Sequence, residues 1–413
     1  MSQDDNANII SFPANRSNAA GEFFVVDRRS FSIACGLGLN PAVAYLTIAR
    51  GAGSRSKSAW SVDAIERHTG ISRPKAKLAI QTLIDSGLMT LERPGTRPLY
   101  GIVPAHELPG MMLSVDDRAV LGLLAGGGMS KIPKVHRDTA RDLTSRGILI
   151  SHGGDYYAKK SESFTDFAAE PEHVWLPNTV VEGAADEVPP LALLRQMQDV
   201  RRLRLFVALY DSSDLPNDGG VSRHSLRQNH TLTKVSHRGA STIWGFGSGT
   251  STTSTGDLHM PFLTGKLNEE RKDLGLTDFW ASLTALEDCG LLEFIPHVFE
   301  SDKPEAEMLH AYPVKDGACE PWERSVALAA HAAGVVCIAV GQQEWAVQQA
   351  RHLLPVPSHI ANLAVIGIAR LRYRPQTRMT AAWFAKSKES SDAWQPIYEK
   401  IARENGALDK STA

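Results

Sequence analysis

The segment after Gly70 carries basic and amide side chains at helical spacing. Lys75, Lys77, Leu78 and Gln81 lie on or beside the face opposite to the apolar positions of this segment. Lysine and glutamine side chains on such a face can reach purine edges in a DNA major groove, and leucine can contact a thymine methyl group. The pattern therefore predicts recognition by hydrogen bonds and packing rather than bond-breaking chemistry.

A second cationic feature is the hairpin-like sequence Arg93-Pro-Gly-Thr-Arg97, whose two guanidinium groups suit a phosphate backbone or a minor groove. Ser72 and Arg73 begin the preceding helix, where backbone N–H groups and the helix dipole favour a phosphate. The predicted DNA-contacting residues are Ser72, Arg73, Lys75, Lys77, Leu78, Gln81, Thr82, Arg93 and Arg97.

The residues that resemble common catalytic motifs do not have the spacing that those motifs require. Gly265-Lys266 resembles the end of a phosphate-binding loop, but no glycine lies five residues earlier, and Leu267 replaces the Ser or Thr that would hold Mg²⁺. The chain has no GxSxG elbow and no repeated carboxylate motif of the kind a metal-dependent nuclease needs. We therefore predict a protein that is not an enzyme and needs no cofactor.

Four histidines lie close together in sequence without HExxH spacing or nearby cysteine ligands. They are His224, His230, His237 and His259. We predict that they occupy surface or core positions and form no metal site. The alternative, an enzyme that uses this segment, would require stoichiometric metal.

Charge is distributed unevenly although the total is balanced, with 44 Lys and Arg against 46 Asp and Glu. Residues 50–100 hold nine cations and four anions, whereas residues 251–320 hold five cations and fourteen anions. A polyanion should therefore prefer the N-terminal part of the chain.

Cysteine usage and hydropathy favour a cytoplasmic protein without membrane contact, and the predicted DNA binding would place it at the nucleoid. The four cysteines show no CxxC pair or disulfide-scaffold spacing, so we predict reduced thiols. Residues 1–22 are polar and lack the features of a secretory signal, which predicts a disordered tail. The apolar stretch at residues 325–341 is too short to span a bilayer and predicts a buried helix.

Capping residues predict three helices in the N-terminal third. Asn40, Ser61 and Ser72 can each cap a helix, and Gly70 supplies the tight turn between the second and the third. The predicted helices span residues 41–50, 62–69 and 73–86, and the third buries Ala76, Ile80, Leu83 and Ile84.

A helix, a glycine and a predicted hairpin recur three times along the chain. The glycines suit a left-handed residue at each helix end, and the following apolar residues begin a strand. The three copies span residues 78–103, 138–158 and 278–314, with Gly87, Gly147 and Gly290 at the helix ends.

Residues 71–92, ISRPKAKLAIQTLIDSGLMTLE, resemble the recognition helix and first wing strand of bacterial winged helix-turn-helix regulators. The resemblance covers about 65 residues and implies that the positions of Lys75, Lys77, Leu78 and Gln81 face DNA. The fold implied is mainly α with small β-hairpins (α+β), built from tandem winged-helix units and a helical C-terminal domain.

The expected domain organisation follows from composition and from the repeated pattern. It comprises a disordered tail at 1–22, a DNA-binding winged helix at 23–106, an abbreviated second unit at 107–160, an acidic linker at 161–190, a third winged-helix-like unit at 191–316 with a mobile Gly/Ser/Thr loop at 245–256, and a helical domain at 317–413 with a basic segment at 370–388.

Two further groups of cations are weaker candidates, since an ordinary solvated helix face explains them as well. Those of the C-terminal group interleave with Tyr373, Trp383 and Phe384, which suits a nucleic-acid backbone with some base stacking. These candidates are Lys134, Arg137 and Arg141 in the second unit and Arg370, Arg372, Arg374 and Arg378 near the C-terminus.

The third copy has the wrong charge for DNA. Asp278 stands where a reading helix would carry a cation, and residues 300–307 form an acidic hairpin. We expect this unit to form a homo-oligomer, a dimer, or to bind a protein partner.

The sequence thus favours a regulator that binds specific double-stranded DNA. A plasmid or phage replication initiator that binds origin repeats, and a winged-helix scaffold that binds only proteins, remain the alternatives. A scaffold would bind DNA weakly and without a steep salt dependence.

Overall fold

The computed structural model describes residues 23–53, 56–104, 120, 123–124, 136–145, 149–152, 155–158, 173–184, 187–247, 249–259, 262, 269–315, 319–338, 351–374 and 377–411. The predicted tail at 1–22, most of the second unit at 107–160, Lys134 and residues 161–172 of the predicted linker lie outside these ranges.

Helices and a small sheet alternate in the N-terminal part, and the three predicted helices are present. Asn40 does not cap the first of them, because that helix begins at Leu39 and its N-cap residue is Gly38. Ser61 caps the second of these three helices through the N–H of Asp63, and Gly70 ends it with a positive φ of 67°. The three-stranded sheet has the order β2-β4-β3. The elements are β1 (Phe23–Asp27), α1 (Arg28–Gly36), α2 (Leu39–Ala52), β2 (Lys57–Ser58), α3 (Val62–Thr69), α4 (Arg73–Asp85), β3 (Met89–Arg93) and β4 (Leu99–Ile102).

A second helix–hairpin unit follows, in which the two strands predicted within residues 138–158 pair with each other. Its strands pair from Leu149↔Ala158 to His152↔Asp155. The elements are α5 (Arg137–Ser145), β5 (Leu149–His152) and β6 (Asp155–Ala158).

The described part of the predicted acidic linker forms secondary structure. Strand β7 (His173–Pro177) pairs antiparallel with β1 along its whole length, from Phe23↔Pro177 to Asp27↔His173. Glu182 pairs with the buried Arg50 of α2 at 2.6 Å, and this contact offsets a guanidinium charge inside the first unit. The helices that follow are α6 (Thr179–Glu182), α7 (Pro190–Gln196) and α8 (Val200–Asp211).

A five-stranded antiparallel sheet with the order β13-β10-β17-β14-β15 organises the C-terminal half. A three-stranded sheet, β11-β12-β16, lies in the same half of the chain. The elements are β8 (Ser213–Asp214), β9 (Gly220–Val221), β10 (Leu226–His230), β11 (Thr233–Arg238), β12 (Ser241–Phe246), β13 (Thr250–Ser254), α9 (Gly256–His259), α10 (Glu269–Asp288), β14 (Leu292–Phe299), β15 (Met308–Ala311), α11 (Pro321–Cys337), β16 (His352–Pro357), β17 (Ala364–Leu371) and α12 (Arg378–Ser411).

Three expectations for this half differ from the structure. The Gly/Ser/Thr stretch at 245–256 contains β13, which pairs with β10 from Leu226↔Ser254 to His230↔Thr250, because β-branched threonines suit a pleated strand. The segment at 317–413 is not purely helical, since β17 is the middle strand of the five-stranded sheet. In the third copy of the repeated pattern, β14 pairs with β17 over eight residues and so belongs to this larger sheet.

One cluster of buried apolar side chains joins segments that were predicted to belong to different domains. It includes Phe24 and Leu46 of the first unit, Leu205 of α8, and Leu292 and Leu371 of the large sheet. The described residues form a mixed α/β structure with 49% helix and 26% strand, which is compatible with the α+β class. Tandem winged-helix units are not established by these elements.

A buried ion pair links α11 to β17. Both guanidinium nitrogens of Arg370 donate to Glu323 at 2.7 and 2.8 Å, and neither side chain is exposed to solvent. Arg370 also donates to Nε2 of His297 at 2.8 Å, and Ser387 of α12 donates to Glu323 at 3.4 Å. Four elements therefore meet at one charged, fully buried cluster.

The predicted core helix at residues 325–341 is confirmed by α11, which buries Ala330 and Ala333. None of the helices within the described ranges has the length and apolarity required to cross a membrane. All four cysteines carry free thiols, as expected.

Candidate nucleic-acid interface

Helix α4 presents its predicted recognition face to solvent because its other face is packed. Ala76, Ile80 and Leu83 are buried and hold the helix against α2 and α3. On the outer face Lys75, Lys77, Leu78 and Gln81 are all exposed, and Leu78 shows 68% of its surface. An exposed leucine adds little to folding, so this face is available for a partner.

The two lysines of this face carry uncompensated charge. Within the part of the chain that the structure describes, neither Lys75 nor Lys77 has an ion-pair partner. Gln81 donates to Asp85 at 2.7 Å, and the half-buried Thr82 donates to the carbonyl of Leu78 at 2.9 Å. A bound base would therefore meet free ammonium groups first and would have to compete for Gln81.

The start of α4 combines a helix terminus with an arginine. Ser72 is the N-cap residue, but its hydroxyl makes no capping hydrogen bond within the helix. Arg73 pairs with Asp63 at 2.6 Å and lies 4.0 Å from Glu66. Because the Arg73 and Asp63 side chains are each 57% exposed, the pair is weak and a phosphate could replace the carboxylate.

The hairpin between β3 and β4 carries the two predicted wing arginines at an exposed tip. The Nε of Arg93 donates to the carbonyl of Arg97 at 3.2 Å across the turn, where Gly95 takes a φ of 117° that favours glycine. Lys57 of β2 pairs with Glu92 at 2.7 Å beside the tip. Both arginines are exposed, and their contact restricts the loop.

Sequence analysis missed Arg195, which lies beside the turn that precedes α4. Its Nη1 is 3.6 Å from the position that a Cβ would take on Gly70. Arg195 lies in the last turn of α7, 110 residues after the end of α4. No local pattern near residue 70 could have indicated it, since only the packing of α7 against α3 brings the two together.

Aromatic and charged side chains pack against α3, the helix that precedes α4. Trp60 stacks on His68 with ring centroids 5.0 Å apart, and the buried Arg50 lies 5.5 Å from the Trp60 ring. Burial lowers the pKa of His68, helped by the charges of Arg67 and Arg50. His68 therefore contributes an aromatic surface rather than a charge at neutral pH.

The two described weaker candidates of the second unit, Arg137 and Arg141, lie on the exposed side of α5. Arg141 pairs with Asp138 at 3.0 Å, and both side chains are largely in solvent. Their geometry fits an ordinary solvated helix as well as a phosphate contact.

The C-terminal group of arginines does not form the nucleic-acid surface that was predicted. Arg370 is fully buried, and Trp383 and Phe384 are each only 2% exposed, so these aromatic rings cannot stack on bases. Arg372 donates to Glu187 at 2.6 Å, whereas Arg378 is exposed. Arginines interleaved with aromatics here build a core, because Arg370 lies 4.8 Å from the ring of Trp383.

The four histidines are dispersed, and no group of His, Cys, Asp or Glu in the described ranges has the geometry of a metal site. His259 packs against Phe279 and hydrogen-bonds Ser254. Burial lowers the pKa of His230 to about 4, assisted by the charge of His352.

The acidic third unit has the surface that its sequence suggested. Asp278 lies within α10 and pairs with Arg201, and Glu300, Asp302, Glu305 and Glu307 flank the exposed turn between β14 and β15. This turn would repel a phosphate backbone.

Comparison of the chain with protein families, curated proteins and solved structures gives no match.

Proposed function

We propose that this protein binds double-stranded DNA at a specific sequence through α4 and the β3–β4 hairpin, as a transcription regulator that acts by binding alone. One observation carries the proposal: Lys75, Lys77, Leu78 and Gln81 share an exposed helix face whose two lysines have no ion-pair partner among the described residues. Ammonium, methyl and amide groups on one face can read base edges and a thymine methyl group.

The order of elements supports this use of α4. The segment runs helix, strand, helix, helix and hairpin, and its strands are ordered β2-β4-β3. In winged helix-turn-helix proteins the third helix enters the major groove while the hairpin contacts the flanking backbone. The exposed guanidinium groups of Arg93 and Arg97 would then bind phosphates next to the groove.

Arg195 would extend the phosphate contacts at the other end of α4. Its guanidinium group lies beside Gly70, two residues before Ser72 at the positive end of the helix. A phosphate at this end would accept hydrogen bonds from a helix terminus and from two arginines. Contacts at both ends of α4 would fix its register along the groove.

A replication initiator that binds origin repeats is the second candidate. The second helix–hairpin unit, α5 with β5 and β6, favours it, because two such units in one chain could occupy neighbouring half-sites. In either case we assign the acidic turn between β14 and β15 to dimerisation or to a protein partner.

Selection of binding sites from random duplexes with the purified full chain, at two salt concentrations, tests the proposal. We expect one enriched sequence and an affinity that falls steeply as salt rises. A palindrome would favour the regulator, and tandem direct repeats would favour the initiator. Weak, salt-insensitive binding without enrichment would reject both candidates and leave the protein scaffold.

A further inference from the structure

A cleft of about 730 Å³ opens beside the inner strands of the five-stranded sheet, remote in sequence from α4. Its walls come from β10, β14, β17, the end of α10, the segment before α11 and the segment between β17 and α12. The lining includes Gln228, Glu287, Lys315, Glu320, Arg372 and Arg374. No part of this cleft is used by the proposed DNA contacts.

Arg374 is the unusual group in this cleft. Only 17% of its side chain is exposed, and its Nη1 is buried without a hydrogen-bond acceptor in the part of the chain that is described. Glu320, the nearest carboxylate, lies 4.0 Å from Nη2, which is beyond hydrogen-bonding distance. Phe384 lies 4.5 Å from the guanidinium carbon and gives it an apolar floor.

Neighbouring charges leave Arg374 under-compensated. Burial lowers the pKa of Arg374 to about 10, and the charge of Arg370 adds to this effect. Arg370 and Arg372 already have carboxylate partners in Glu323 and Glu187. A buried guanidinium donor without an acceptor is costly, and buried polar groups are almost always satisfied.

The acids that act on Arg374 are Glu320 and Glu323, and Glu323 is already paired with Arg370. Burial raises the pKa of Glu320 and likewise raises the pKa of Glu287 on the same lining. Lys315, whose side chain is exposed, adds a second cation to the cleft. The site therefore has one buried and one accessible donor for an anion, with carboxyl groups that can accept hydrogen bonds from the rest of a ligand.

We propose that this cleft binds a small polar ligand through an oxyanion group, a carboxylate or a phosphate, that accepts hydrogen bonds from the guanidinium group of Arg374, with Lys315 on the same lining. Planar, forked donors of this kind match both oxyanions. The proposal goes beyond DNA binding and does not depend on it.

Thermal unfolding of the full chain without DNA tests the site. Inorganic phosphate and succinate, each at millimolar concentration and at constant ionic strength, represent the two oxyanions. We expect at least one of them to raise the Tm of the wild-type chain by a few degrees, since a ligand that binds only the folded state stabilises it. The oxyanion that gives the larger shift identifies the ligand class.

Matched variants separate binding from general salt effects. Arg374→Gln should abolish the shift, whereas Arg378→Gln, which removes an exposed arginine four residues away and outside the cleft, should retain it. Lys315→Gln, on an exposed side chain, should reduce the shift and serves if Arg374→Gln does not fold. Exclusion of kosmotropic ions from the surface would stabilise all variants alike. Equal shifts in all variants, or no shift in the wild type with either anion, would overturn the proposal.

Discussion

At the residue scale, the proposed DNA contacts are exposed side chains that contribute little to the packing of the folded chain. Leu78 is 68% exposed between two lysines without ion-pair partners in the described ranges, and Arg93 and Arg97 stand at a turn that contributes to no core. The two groups have different tasks, because groove contacts read sequence and phosphate contacts do not. Substitutions on the face of α4 should therefore weaken binding mainly to the selected sequence, whereas substitutions of Arg93 and Arg97 should weaken binding to all duplexes.

Replacing Arg93 or Arg97 by Ala should weaken binding by a similar factor, roughly 3- to 10-fold, for the selected duplex and for an unrelated one. The reason is that each substitution removes one phosphate contact, which should also reduce the salt slope by about 1. Fluorescence anisotropy titrations at several salt concentrations measure both quantities. Lys303→Ala, at the exposed tip of another hairpin, is the control and should change neither. A loss confined to the selected duplex would contradict the role given to the wing.

At the element scale, the buried cluster of Arg370, Glu323 and His297 holds α11, β14 and β17 together. Although burial itself raises the pKa of Glu323, the charge and hydrogen bonds of Arg370 outweigh it and lower that pKa to about 2. The carboxylate is therefore ionised in the folded state over the whole physiological range. Removing either charge would leave the other buried and unpaired.

Glu323→Gln should lower the free energy of unfolding by about 3–5 kcal/mol, since Arg370 would keep a buried charge without its counter-ion. Chemical denaturation of the two proteins measures the difference. Asp392→Asn breaks the exposed pair with Lys388 and should cost less than about 1 kcal/mol. Similar losses of unfolding free energy in the two variants would show that the buried pair contributes no more to stability than the exposed pair.

Stability should also fall in acid. Burial lowers the pKa of His297 to about 3, with help from Arg370, and lowers the pKa of His310 to about 4. Both rings are neutral in the folded state, so below pH 6.5 only the unfolded chain gains their protons and stability decreases. Below about pH 4.5 the depressed pKa of Glu323 adds a second loss in the same direction.

The Tm should therefore be nearly constant above pH 7 and should fall between pH 6.5 and 4. His310→Gln should flatten this fall, because it removes one of the groups that protonate only on unfolding. His224→Gln, at a residue near the surface, should leave the profile unchanged. A variant profile parallel to that of the wild type would contradict the role of His310.

The helices of the N-terminal part could be predicted because their signals are local. Ser61, Gly70 and the apolar spacing of α4 all act within a few residues. Strand β17 could not be recognised, because a short apolar run does not distinguish a strand from a buried helix. Arg370 within this run looked like a surface cation, since its partner Glu323 lies 47 residues earlier and only tertiary structure brings the two together.

At the scale of the whole molecule, the candidate interface is part of a larger body. Strand β1 pairs with β7, which lies about 150 residues later, and Arg50 of α2 pairs with Glu182. The sequence of residues 23–106 contains every element of a helix-turn-helix, and for that reason it suggested an independent domain. The long-range partners that complete its core have no local signature.

A fragment of residues 1–106 should not unfold cooperatively. It would lack the partner strand of β1, would leave Arg50 buried without Glu182, and would expose apolar side chains that pack against α7 and α8. Circular dichroism melting of the fragment and of the full chain makes the comparison. A sharp, reversible transition in the fragment would show that it is an independent domain.

The central claim is that the outer face of α4 reads DNA, and the most direct test is the affinity of the full chain for its selected duplex after Lys75→Ala with Lys77→Ala. The control is Lys386→Ala with Lys388→Ala, which removes two lysines at the same spacing from α12. We predict a loss of 10-fold or more for the selected duplex and a smaller loss for an unrelated one, with the control unchanged. Binding by the α4 variant that equals that of the wild type and of the control would contradict the assignment of this face to DNA.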